Sequence, residues 1–143
     1  MLYGAVVWAE AQRHHKYLKR IAAILRRCTL RIACSYRTIS EPAVHVITDV
    51  IPIDLLTQES QSVHHQRPVL GKEEASRLAR STSIETWQSR WEQVLCGIWT
   101  AQLISRPDSW LNREASEVDF YLTQFLIGHG LFCSFLAKMR KVA

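Results

Sequence analysis

Between Arg13 and Tyr36 the chain carries Leu18, Ile21, Ala22, Leu25, Cys28, Ile32 and Tyr36 at steps of three and four, the spacing that gathers side chains on one face of a helix. Arg13, Lys16, Arg20, Arg27 and Arg31 follow the same period and fall on the opposite face at roughly 100° per residue. No Gly or Pro interrupts the stretch, and Arg and Leu are good helix formers. A long, basic, amphipathic first helix is the element this pattern demands.

The rest of the chain reads the same way. Ser40-Glu41-Pro42 is a helix start, with Ser40 as the cap, an acid in the first turn and Pro where no backbone donor is missed; a short helix through about Ile47 follows. Pro52 opens another, carrying Ile53, Leu56 and Val63, while residues 58–68 read as its frayed end and a loop marked by Pro68 and Gly71. Residues 72–104 form the longest helical pattern, with a bulky stripe of Ile84, Trp87, Trp91, Val94, Leu95 and Ile98, and Trp99 beside it. Ser81-Thr82-Ser83 is a place where that pattern could divide in two.

Pro107 opens a short helical turn with Trp110 and Leu111, and Ser116-Glu117-Val118-Asp119 reads as a capping box ahead of Phe120, Leu122, Phe125 and Leu126. Gly128-His129-Gly130 ends that helix, and residues 132–140 form the last. The one β-branched cluster, residues 44–53, is broken by acids and Pro52. The expected fold is all-α: an irregular assembly of about five to seven helices, without repeats.

The 143 residues suit one continuous domain, with residues 1–66 as a basic part and 67–143 as a second helical part. The net charge is +5, and residues 1–40 hold eight of the basic side chains against Glu10 alone. Such a basic end favours an anionic partner, nucleic acid ahead of a membrane surface. No run reaches the roughly 18 apolar residues of a membrane span. Cys28, Cys34, Cys96 and Cys133 show no C-x-x-C spacing, nothing near Met1 reads as a secretory signal, and reduced intracellular thiols are expected.

Groups able to converge on chemistry are scarce. His14-His15 and His64-His65 are adjacent pairs that point about 100° apart on a helix, poor geometry for one metal ion and better suited to a surface. His129 could join Cys133, but a zinc site wants about four ligands. Asp49, Asp54, Asp108 and Asp119 are scattered, and no phosphate-binding glycine loop or nucleophile elbow appears. No catalytic residue, metal ligand or cofactor is assigned. Trp87 and Trp91 share a face with Ile84 and Leu95, a core stripe before a stacking surface. The basic stripe stays open between a solvated face and a phosphate-contact surface, although solvated faces usually mix signs and this one is nearly free of acids.

Four segments carry a resemblance. Leu2-Tyr3-Gly4-Ala5 with Trp8-Ala9, Arg26-Arg27 through Tyr36-Arg37-Thr38-Ile39-Ser40, and Pro52-Ile53-Asp54-Leu55-Leu56 resemble, in order, the palm exit, thumb helices and connector start of non-LTR retrotransposon polyproteins. The likeness is strongest to the arthropod type-1 elements that insert into ribosomal RNA genes. Its most specific segment is Trp87, Trp91, Gly97, Trp99-Thr100, Glu117-Val118-Asp119-Phe120, Leu122-Thr123-Gln124-Phe125-Leu126 and Gly128-His129-Gly130, similar to the stretch before that family's cysteine and histidine cluster. Val6, Ile127 and Cys133 depart from the expected residue types.

The resemblance implies a parent RNA-directed DNA polymerase with endonuclease, magnesium held by aspartates upstream of this chain, and a C-C-H-C cluster beyond Ala143. Residues 1–66 would be thumb-like and 67–143 connector-like, so this chain alone should be inactive. Its partners would be RNA and DNA template-primer and the remainder of the polyprotein, with no membrane, and its place intracellular, in the nucleus at integration. Arg13, Lys16, Arg20, Arg27 and Arg31 are the expected nucleic-acid contacts. The competing readings are a stand-alone helical interaction module and a non-functional relic.

Overall fold

The computed structural model describes residues 14–113 and 118–129, apart from the side chain of His15. Among them lie seven helices and no strand: α1 (His15–Ile32), α2 (Glu41–Ile47), α3 (Ile53–Leu70), α4 (Lys72–Glu92), α5 (Ile98–Leu103), α6 (Pro107–Leu111) and α7 (Phe120–Leu126). The fold is all-α and irregular, as the periodicity requires. Arg13, Ser116, Glu117, Gly130, Cys133, the palm-exit motif and the expected last helix fall outside the described residues.

Two compact units divide the chain: the described residues up to Leu25 with Ile51–Arg90, and Arg26–Val50 with the described residues from Trp91 onward. In the first unit, ion pairs Arg90–Asp54 at 2.6 Å and Arg80–Glu59 at 3.0 Å link α4 to α3. The late residue of one helix meets the early residue of the other, so they run antiparallel about Gly71. Ala75, Ala79, Ser83 and Trp87 are buried at steps of four along α4, and small side chains of this kind let a neighbouring helix come close. Ile51, Ile53 and Leu55 complete this core.

Residues 58–68 are helical, not the expected frayed end and loop. Glu59, only 14% exposed, is drawn in by Arg80, and the hydroxyls of Thr57 and Ser60 bond back to the carbonyls of Ile53 and Leu56. Pro68 sits inside the last turn, and the helix stops at Gly71, whose φ of +81° suits glycine. Residues 81–83 likewise leave α4 unbroken: Thr82 and Thr86 donate to the carbonyls of Leu78 and Thr82. The break comes later than expected. α4 ends at Glu92, so the bulky stripe holds at Trp87 and Trp91, each 3% exposed, while Leu95 is 87% and Ile98 59% exposed.

The second unit is organised by helix ends. Three helices close with the paired hydrogen bonds of the Schellman motif: Ser35 N–H to Leu30 and Cys34 N–H to Arg31 after α1, Val50 to His45 and Asp49 to Val46 after α2, and His129 to Gln124 and Gly128 to Phe125 after α7. Cys34 and Asp49 adopt the left-handed position, at φ of +49° and +57°, although neither is glycine. The Asp49 carboxylate meets Arg113 at 2.7 Å, Arg113 lies 4.0 Å over the Trp110 ring, and Trp110 donates to the Ile47 carbonyl. Buried His45 bonds the Val50 carbonyl through Nδ1 at 2.9 Å.

Ser40 is the N-cap of α2, but its hydroxyl makes no capping bond, and Pro42 lacks one of the two amides such a cap uses. Asp119 caps α7, accepting from the Leu122 amide at 2.7 Å, while Ser116 of the expected capping box lies outside the described residues. α5 then closes the other end of α7: Trp99 Nε1 donates to the Phe125 carbonyl at 2.9 Å, and Thr100 Oγ1 to that of Leu126 at 2.9 Å. Both carbonyls lie in the last turn of α7, where helix carbonyls take donors from beyond the helix; that of Phe125 also accepts from the Gly128 amide. Trp91, at the end of α4, donates to the Ile104 carbonyl at 2.7 Å.

Gly128, at φ +69°, lies where an added Cβ would stand 2.9 Å from Trp99 Cδ1. Trp99 is pinned by its own hydrogen bond and cannot simply swing away. Gly128→Ala is therefore expected to lower stability by about 2 to 4 kcal/mol, combining left-handed strain with overpacking. Urea unfolding reads this as a lower midpoint at constant slope; a loss under about 1 kcal/mol would show that Trp99 is not held.

Candidate nucleic-acid interface

The last two turns of α1 and the turn after it enclose an open concavity of about 520 Å³, lined by Arg26, Arg27, Leu30, Arg31, Ser35 and Arg37. Its geometry starts from a rotation of the buried face of α1. Leu18, Ile21, Ala22 and Leu25 are half-buried as expected, but Cys28 and Ile32 are exposed and Thr29, Leu30 and Ala33 are buried in their place. The buried stripe follows the true helical period through Arg26, whereas the apolar residue types drift off it. Tyr36, placed on the apolar face by its spacing, lies beyond the helix end and is 54% exposed.

Arg26 consequently sits on the inner flank of the helix, half-buried. Its Nη2 donates to the carbonyls of Arg37 at 3.0 Å and Ile39 at 2.8 Å. This ties the turn back against the helix and brings Arg37 beside Arg27 and Arg31. The turn is also closed by its backbone, through the left-handed Cys34 and the Ile39 amide donating to the Tyr36 carbonyl at 3.3 Å.

Of the expected contact residues, Arg27 and Arg31 line the concavity and both are exposed. Lys16 and Arg20 are exposed on earlier turns of α1 and do not line it; Arg13 is outside the described residues. Arg26 and Arg37 were missed. An arginine on the inner flank of an apolar stripe was the available signal for Arg26, while Arg37 follows the helix, where periodicity carries no information.

The electrostatics separate the arginines of α1 and its turn from the described arginines of α4 and beyond. Arg77, Arg80, Arg90, Arg106 and Arg113 each pair with a carboxylate, from Glu74, Glu59, Asp54, Asp108 and Asp49. The Arg106 side chain holds the Asp108 carboxyl below its ordinary range by hydrogen bonding, and Arg77 does the same for Glu74. Lys16, Lys19, Arg20, Arg26, Arg27, Arg31 and Arg37 have no ion pair among the described residues, and no acid lines the concavity. Exposed guanidinium groups clustered in this way can grip phosphate oxygens in a planar, forked geometry.

No group of three or more His, Cys, Asp or Glu able to hold a metal lies among the described residues. His14, His64 and His65 are on the surface, as their pairing suggested. Cys28, Cys34 and Cys96 are free thiols. No helix among the described residues is long and apolar enough to cross a membrane.

Replacing Arg26 with Met keeps the stem and removes both carbonyl contacts. Stability should fall by about 1 to 3 kcal/mol, and the amides of Ser35 and Ile39 should exchange with solvent faster. Unchanged exchange at both would show that the backbone alone holds the turn.

No protein-family model matches the chain, and no solved structure matches it. Among curated proteins it is similar to the retrovirus-related Pol polyprotein from type-1 retrotransposable element R1 2 of Nasonia vitripennis, with 26% identity over 152 aligned positions. The match takes in 95% of this chain and 37% of the polyprotein, so the chain spans little more than a third of that relative's length. This similarity supports a chain related to part of a retrotransposon Pol polyprotein.

Proposed function

We propose that this chain helps a retrotransposon reverse transcriptase and endonuclease polyprotein hold its template-primer through sequence-independent phosphate contacts. The observation that carries this reading is the arginine concavity without a carboxylate, in a chain where the arginines from Arg77 to Arg113 are all neutralised. Arg27 and Arg31 make the contacts, Arg37 joins them, and Lys16, Arg20 and Arg13 extend the same basic stripe. The similarity to a Pol polyprotein supports the nucleic-acid class of partner. In this reading residues 1–66 are thumb-like and 67–143 connector-like. Polymerisation and its magnesium belong to other parts of such a polyprotein, and the work is done in the nucleus at integration.

A second reading, a helical interaction module, is favoured by α7, which buries Thr123 and Gln124 and leaves Phe120, Tyr121, Leu122 and Phe125 exposed. Such a module folds cooperatively and ignores polyanions.

The test is binding of a labelled primer-template between about 50 and 200 mM salt. Affinity should fall steeply with salt, and Arg27→Ala with Arg31→Ala should reduce the log–log slope by about 1 to 2. Arg77→Ala and Arg106→Ala, which remove already paired charges, should leave the slope unchanged. Salt-independent or absent binding by the folded chain would favour the interaction module.

A further inference from the structure

We infer that the arginine concavity takes an unpaired strand, with one phosphate among Arg27, Arg31 and Arg37 and an adjoining base stacked on Tyr36. The inference rests on the nucleic-acid reading above and narrows it from nucleic acid in general to single-stranded nucleic acid.

Tyr36 is flanked in sequence by Ser35 and Arg37, both of which line the concavity. The backbone on either side of it is held: Ser35 by the Leu30 carbonyl, Tyr36 itself by the Ile39 amide, and Arg37 by Arg26. Tyr36 is 54% exposed, and its ring lies by the His129 ring, with centroids 6.2 Å apart at 44°. A tyrosine has few torsions to freeze, and its stem here is already fixed, so stacking a base on it costs little entropy.

The shape points the same way. A concavity of about 520 Å³ is the size of a site for one small ligand, so it accommodates a phosphate with its sugar. A basic groove with an exposed aromatic beside it is the combination that binds single strands without sequence preference, because every base has a π-face. The buried tryptophans cannot serve: Trp87 and Trp91 are each 3% exposed and packed into their units. In a primer-template, the strand available to this site is the unpaired template.

Fluorescence anisotropy with the whole chain compares a labelled deoxythymidine oligonucleotide with a duplex of the same length across a salt series. The single strand should bind more tightly. Tyr36→Ala should weaken it about fivefold to a hundredfold with an unchanged salt slope, and Tyr36→Phe should restore binding by keeping the ring. Arg27→Ala with Arg31→Ala should instead lower the slope, and circular dichroism establishes that each variant keeps its helices. A duplex bound as tightly as the single strand, with no effect of Tyr36→Ala, overturns the inference and leaves the phosphate-contact reading standing. Loss of salt-dependent binding to both ligands overturns the two together.

Discussion

The turn that follows α1 depends on one nitrogen of Arg26, which donates to the carbonyls of both Arg37 and Ile39. Those carbonyls belong to a segment containing a left-handed Cys34, a conformation that disfavours any side chain with a Cβ. Hydrogen bonds from a charged donor, at about 1.5 to 3 kcal/mol each, are large enough to offset that strain. They also offset the modest repulsion between exposed cations, which salt screens within about 10 Å. With the turn held, Arg37 comes to the side of the helix that already presents Arg27 and Arg31, and the same tether fixes the backbone beside Tyr36.

Charge is used in two different ways along the chain. The arginines from Arg77 to Arg113 are structural: Arg80 and Arg90 clasp α4 to α3, and Arg113 joins Asp49 at the end of α2 to the Trp110 ring. Among the described residues the basic side chains of α1 and its turn have no such acid, so their charge is available to something outside the described fold. Mostly exposed ion pairs contribute little stability. Their more informative effect is to cancel positive potential locally, which no described acid does for the arginines of α1 and its turn.

The residues with the most specific family resemblance also explain themselves physically. Trp99 and Thr100 supply donors to the last carbonyls of α7, Gly128 makes room for the Trp99 ring, and Asp119 caps the opposite end. A seven-residue helix is too short to be stable by itself, so these contacts from α5 are what maintain it. Helix existence was legible wherever period, Pro and Gly agreed, as at α2 and α6. Helix ends were not legible where side chains from another element decided them: residues 58–68 look frayed until Arg80 is seen to draw in Glu59. The concavity was half legible, since Arg27 and Arg31 follow the helical period and Arg37 does not.

By itself, the sequence determined an all-α chain with a basic first helix, because hydrophobic period, propensity and charge segregation are local properties of residue order. It also determined that Trp87 and Trp91 belong to the core, since large rings at helical spacing gain most from burial. Only the tertiary structure decided which face of α1 turns inward at Arg26, where α4 stops, and that Arg37 joins Arg27 and Arg31 on the basic surface. Each of those outcomes rests on a hydrogen bond or contact between residues distant in the chain, and such contacts leave no periodic trace in the sequence that makes them.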